Sequence, residues 1–186
     1  MLRLPAVERT VVYSRPRLWL RRLLRRPEPQ DIMKIGRYRP DLYGDRLHAL
    51  RRAALRESSW WSAEEQELFA ALVARLRQCE ICTVLHAARA SGPARRGRDD
   101  VAAALRDWRS ASLRPQVAAA VRVLETLVLD TASFSSKDLE ELRALGVPPA
   151  AIEDLLYIST VMSIMTRVAS ALGAELDPSY AATGRA

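Results

Sequence analysis

The stretch ELFAALVARLRQCEICTVLH, residues 67–86, decides how this chain is read. Its first half repeats apolar residues at helical spacing, with Leu68, Leu72 and Leu76 on one face. Just upstream, Ser62 and Glu65 have the spacing of a capping box: the Ser hydroxyl accepts from a free backbone N–H, and the Glu carboxylate reaches back to the N-cap. A helix therefore starts after Ser62. From Cys79 to Ala90 the period stays helical, until Ser91-Gly92-Pro93 and the Gly97 region end it.

The polar residues in this stretch constrain its geometry further. On one helix Cys79 and Cys82 share a face with alpha carbons roughly 5 to 5.5 Å apart, within the range a disulfide tolerates. His86 lies one turn beyond Cys82, close enough for an imidazole to take a thiol proton or hold a thiolate. Glu67 does not fit an unbroken helix, because twelve residues at about 100° each leave it about 120° around the axis from Cys79. A joint site requires one helix to end near Gln78 and another to start about Cys79. Such a break also sets both cysteines in a first turn, where free N–H groups and the helix dipole favour a thiolate. No Gly or Pro near Gln78 marks the break.

Helical spacing continues on both sides. Arg15 to Arg26 interleaves basic pairs with Leu18, Trp19, Leu20, Leu23 and Leu24, the pattern of an arm that packs on its own or a neighbouring subunit, or lies on a membrane surface. Pro27 and Pro29 end the arm, and Asp31 is expected to cap a short helix that runs to Arg39-Pro40. Leu47, Leu50 and Ala54 predict a helix that stops near Ser58-Ser59. Asp99 opens another, Pro115 suits the first turn of a longer one, and Ser135 with Asp138 begins one that Gly146 closes. After Pro148-Pro149 a long helix carries Ile152, Leu155, Leu156, Met162, Met165, Val168 and Leu172 to Gly173, its methionines read as core filler. Only Val11-Val12-Tyr13 hints at a strand, so the expected class is an all-α bundle. The expected organisation is a basic arm over 1–30, one helical domain over 31–174 and an unstructured tail over 175–186.

Composition narrows the function classes. With 186 residues, 49% of them hydrophobic, the chain can bury one core. Its net charge of +7 comes almost entirely from arginine and stands beside no helix-turn-helix, zinc-finger or RNA-binding aromatic motif, which argues against nucleic acid as the partner. Charges interrupt the apolar runs before the roughly 20 residues a bilayer span needs, and the N-terminus lacks a continuous apolar core of a leader. No transmembrane span and a cytoplasmic address are expected. In a reducing compartment, two close cysteines are read as catalytic, redox-sensing or metal-binding before structural. Structural zinc wants four N or S ligands, whereas the chain offers two Cys, His86 and His48. Neither metal nor cofactor is therefore expected.

Glu67-x11-Cys79-x2-Cys82-x3-His86 resembles the E-x11-C-x2-C-x3-H signature of the AhpD-like alkylhydroperoxidases, within the carboxymuconolactone decarboxylase family. Trp60-Trp61-Ser62, Glu67-Leu68-Phe69-Ala70, Thr166-Arg167 and Ala171-Leu172-Gly173 are similar to runs in peroxidase-related members, so the resemblance spans roughly residues 38 to 174. It implies an AhpD-like helical bundle that reduces alkyl hydroperoxides. Cys82 would be the attacking thiol, Cys79 the resolving thiol, His86 the proton acceptor and Glu67 the carboxylate that polarises it. It also implies an external dithiol reductant of lipoyl or thioredoxin type, and a homo-oligomer, trimer or hexamer. The chain departs from the family at Glu80, where some members have His, at Arg77-Gln78, and at Thr166 before Arg167. An inward-pointing Glu80 would raise a neighbouring thiol pKa. The alternative reading keeps the fold without turnover, as a thiol sensor or an interaction protein. Lactone decarboxylation fits less well, since paired cysteines do not define the members that carry it out.

Overall fold

The computed structural model of the protein describes residues 2–23, 31–56, 59–92 and 97–176. Among these residues there are ten α-helices and no strand; Val11, Val12 and Tyr13 form an irregular link. The helices are α1 (Pro5–Glu8), α2 (Arg15–Leu23), α3 (Asp31–Tyr38), α4 (Asp45–Ala54), α5 (Ala63–Leu76), α6 (Glu80–Ala90), α7 (Arg98–Asp107), α8 (Pro115–Leu129), α9 (Glu140–Ala144) and α10 (Pro149–Leu172). A π-helical turn, Pro40–Gly44, leads into α4, and a 3-10 turn, Ser136–Leu139, leads into α9.

Helix α5 is the axis of the bundle. Phe69, Ala70, Ala71, Val73 and Ala74 are wholly buried, so it is covered on nearly every side, by α6, α8 and α10. Small side chains let those helices approach: Ala119 and Ala120 on α8 and Ala151 on α10 are buried with it. Helix α10 contributes Leu155, Ile158, Met162, Met165 and Ala169 at alternating spacings of three and four, and the two methionines fill the core as expected.

Capping chemistry sets the helix ends. Ser62 Oγ accepts from Glu65 N–H at 3.1 Å while Glu65 accepts from Ser62 N–H at 3.0 Å, the capping box read from the sequence. Pro115 and Pro149 open α8 and α10 at positions where no donor is needed. Asp138 accepts from Ser135 N–H at 2.7 Å, and Gly146 and Gly173 end α9 and α10 at φ values of 76° and 68°. Two boundaries shift from expectation. Helix α4 ends at Ala54, before the serines, and Asp31 is the first residue of α3, its carboxylate accepting from Glu175 N–H and pairing with Lys34. Pro93, Leu24–Gln30 and the tail beyond Leu176 lie outside the described residues.

The entry to α5 is tied to the start of α10. Trp61 Nε1 donates to Ala151 O at 2.8 Å, and buried Asp154 accepts from Ser59 Oγ at 2.7 Å and pairs with Arg56 at 2.9 Å. Trp61 packs edge-on against Phe69 at 5.0 Å. At the other end of α10, Leu2 and Val7 are buried with Ile35 against Val168 and Leu172, so the first residues of the expected arm lie on the bundle. With 24 residues, and a mean hydropathy of 1.5 over its most apolar 18, α10 is long and apolar enough to cross a bilayer by length and composition, which qualifies the expectation of no such run. Its buried face and its paired Asp154 belong to the bundle core.

Between α5 and α6 the chain turns at Gln78, the one described non-glycine residue with positive φ, at 56°. Gln78 N–H donates to Arg75 O and Cys79 N–H to Ala74 O, each at 2.9 Å, which is the paired hydrogen bonding of a Schellman C-cap. Left-handed backbone costs a residue with a Cβ roughly 1–2 kcal/mol. Gln78→Gly should therefore stabilise the protein by roughly 0.5–1 kcal/mol in urea unfolding, after the loss to chain entropy, and the β-branched Gln78→Val should destabilise it.

Candidate active site

The turn at Gln78 folds α6 back along α5. Glu67, nine residues before the end of α5, thereby meets His86 in the middle of α6, with Nδ1 to Oε2 at 2.5 Å. His86 is 3% exposed, and the Glu67 side chain 15%. The break inferred from the chemistry is thus present, three residues from Arg77 to Cys79 with Gln78 at its centre, and it makes Cys79 the N-cap of α6. The Cys79 carbonyl opens the new helix, accepting from Thr83 N–H at 3.0 Å and Thr83 Oγ1 at 2.9 Å.

Both thiols are free and each residue is 3% exposed. Hydrogen bonding from the Cys82 thiol, opposed by burial and helped by the Cys82 backbone N–H and the Ser170 hydroxyl, lowers the Cys79 pKa from 9.0 to about 6. The Cys82 thiol is pushed up, first because it is the donor to Cys79, then by burial and by the negative charge on Cys79. The two thiols therefore titrate as a coupled pair rather than independently. The helix start adds free N–H groups and the positive end of the dipole on the Cys79 side.

Cys79 also lines a cavity of about 740 Å³, walled by Leu72, Leu76, Thr83, Trp108 and Arg109, among others. Cys82 does not line it. Trp108 Nε1 is buried without a hydrogen-bond partner among the described residues, while Arg109 lies over the Trp108 ring at 4.4 Å and pairs with Glu125 at 2.6 Å. The structure therefore brings the four sequence-picked residues into one neighbourhood as two pairs, Cys79 with Cys82 and Glu67 with His86. Among the described residues no hydrogen bond joins Cys82 to His86, although one helical turn separates them.

Several neighbours were not singled out in the sequence. Arg89 stands 3.9 Å from Glu67 Oε2, and its position three residues past His86 was a legible signal. Arg51 on α4 feels both Glu67 and Arg89, and its pKa is lowered mainly by burial, then by Arg89; nothing in the sequence linked α4 to this site. Trp108 and Ser170 come from helices whose packing the spacing could not give. Glu80, the departure of concern between the cysteines, is exposed. Among the described residues no three His, Cys, Asp or Glu gather as a metal site, and His48 sits by Gly36.

Thiolate is the alkylating form, so its rate rises with pH through the thiol pKa. Iodoacetamide labelling of Cys79 should show a midpoint near pH 6. In Cys82→Ala, which removes the donor, the midpoint should move upward, toward the ordinary thiol value of 9.0.

No protein-family model matches the chain, and no curated protein matches it. Solved structures do. The AhpD core of an uncharacterized peroxidase-related protein from Ralstonia eutropha JMP134 is 19% identical, with a TM-score of 0.75 over 100% of this chain and 97% of that one. An uncharacterized peroxidase-related protein from Silicibacter sp. TM1040 is 18% identical, with a TM-score of 0.76 over 92% of each chain. The apo debrominase Bmp8 is 16% identical, with a TM-score of 0.68 over 83% of this chain and 80% of that one; a variant of it in complex with 2,3,4-tribromopyrrole also matches. The chain thus has the all-helical AhpD-like fold of peroxidase-related proteins.

Proposed function

We propose that this protein is a thiol-dependent oxidoreductase that reduces alkyl hydroperoxides through a Cys79–Cys82 dithiol/disulfide cycle. The observation that carries the reading is the pair of free, buried thiols at the start of α6, with Cys79 lining a cavity. Two features outside the pair support it: the buried Glu67–His86 hydrogen bond and the AhpD-like fold.

The chemistry balances on these residues. A thiolate attacks the distal oxygen of ROOH, the O–O bond breaks, and a sulfenic acid forms while RO⁻ takes up a proton to leave as ROH. The second thiol attacks the sulfenic sulfur, giving the disulfide and water. An external dithiol, lipoyl or thioredoxin-like, then supplies two electrons by exchange. In this reading His86, hydrogen-bonded to Glu67, accepts or returns the proton that moves when the Cys82 thiol ionises.

Its lowered pKa and its cavity frontage favour Cys79 as the first sulfur to meet a small substrate. The order implied by the family resemblance, attack by Cys82, needs Cys82 first to pass its proton to Cys79 or His86. Single variants separate the two. If Cys79 attacks first, Cys82→Ser traps a sulfenic acid at Cys79 and Cys79→Ser reacts slowly; if Cys82 attacks first, the pattern reverses. Sustained consumption of an organic hydroperoxide with dihydrolipoamide or a thioredoxin-like protein is expected of the native chain. Oxidation that stops after one equivalent would select a sensor instead. Glu67→Gln and His86→Ala should each slow peroxide attack by about a hundredfold, yet leave disulfide formation by diamide intact.

The debrominase likeness supports one second reading. The same dithiol has the two electrons needed to replace bromine on a small aromatic ring by hydrogen, releasing bromide and leaving the disulfide. Bromide release from a bromopyrrole that outpaces peroxide reduction would favour it. A homo-oligomer is proposed with either reading, since Leu129, Tyr157 and Ile164 present exposed apolar side chains on α8 and α10.

A further inference from the structure

The chain's excess charge is concentrated at one end. Residues 1–30 hold eight arginines against two glutamates, a net of +6 of the chain's +7, while residues 31–186 hold 21 basic against 20 acidic side chains. Within the arm no acidic residue lies between Arg9 and Pro27, and α2 falls in that interval.

Helix α2 is presented by a docked segment rather than trailing from the bundle. Ahead of it, Leu2 and Val7 are buried, Arg3 N–H donates to Leu172 O at 2.7 Å, and Glu8 pairs with Lys34 at 2.9 Å. Yet Trp19, Leu20 and Leu23 are 66%, 48% and 64% exposed and join neither hydrophobic cluster. At 100° per residue these three fall within an arc of about 100°, and Arg15 and Arg17, both exposed, lie outside it. An aromatic and two leucines on one arc, flanked by Arg15 and Arg17 with no acid, is the composition of a helix that lies in a lipid–water interface.

We propose that α2 docks on an anionic lipid surface, with Trp19, Leu20 and Leu23 entering the acyl boundary and the arm's arginines contacting headgroups. Charge complementarity selects this occupant over a second copy of the chain. The body of a second copy is close to neutral overall and gives an arm of +6 no net attraction, whereas an anionic leaflet attracts each basic residue near it. The inference is independent of the chemistry at Cys79.

Co-sedimentation of the full chain with vesicles tests it. Binding to phosphatidylcholine vesicles containing about 30% phosphatidylglycerol should exceed binding to phosphatidylcholine alone by at least about tenfold, and should fall in about 0.5 M salt. Trp19→Glu/Leu23→Glu should abolish it while leaving the helical circular dichroism and the thermal transition unchanged, because both side chains are exposed. Equal partition to the two vesicle types, or undiminished binding by the double variant, would overturn the proposal. So would absence of vesicle binding together with a lower oligomeric mass in the double variant, which would assign the face to another copy.

Discussion

Everything at the candidate site depends on Gln78 adopting a left-handed backbone. That single residue ends α5 with two capping hydrogen bonds, makes Cys79 an N-cap and reverses the chain so that Glu67 reaches His86. A continuous helix through residues 63–90 would have separated the carboxylate from the imidazole by about 28 Å along the axis and about 100° around it. The local strain is held by the burial of α5, whose neighbours leave the helix no freedom to extend or rotate.

The electrostatics follow from the same turn. With Cys79 at a helix start and Cys82 one turn inside it, the two sulfurs are unlike: their mutual hydrogen bonding lowers the pKa of Cys79 and raises that of Cys82. Burial alone would have raised both. The Glu67–His86 pair sits on the inner side of the same helix, and the cavity bordered by Trp108 and Arg109 lies on the side of Cys79. The thiol pair, the Glu67–His86 pair and the cavity thus converge on the first seven residues of α6 and the turn before it.

Much of the molecule was legible in the sequence because its signals are local. The Ser62–Glu65 capping box, the prolines at the start of α8 and α10, and the glycines after α9 and α10 act within one turn of themselves. The break at Gln78 was legible only indirectly. Gln is an uncommon residue for left-handed backbone, so the residue type gave no warning, and the requirement that Glu67 join the cysteines located it. Arg51, Trp108 and Ser170 were not legible, because each arrives from a different helix and depends on how α4, α7 and α10 pack. The choice between the two sulfurs was hidden for a related reason: it turns on which one faces a cavity, and spacing places both on the same face.

The account's central claim is that Cys79 and Cys82 act as one redox pair. Its most direct test is the mass of the peptide carrying both after the reduced protein meets one equivalent of an organic hydroperoxide. The account predicts loss of two hydrogens, an intramolecular disulfide formed at the expense of the peroxide, with both thiols recovered on adding a dithiol. Two unchanged thiols beside intact peroxide would contradict it.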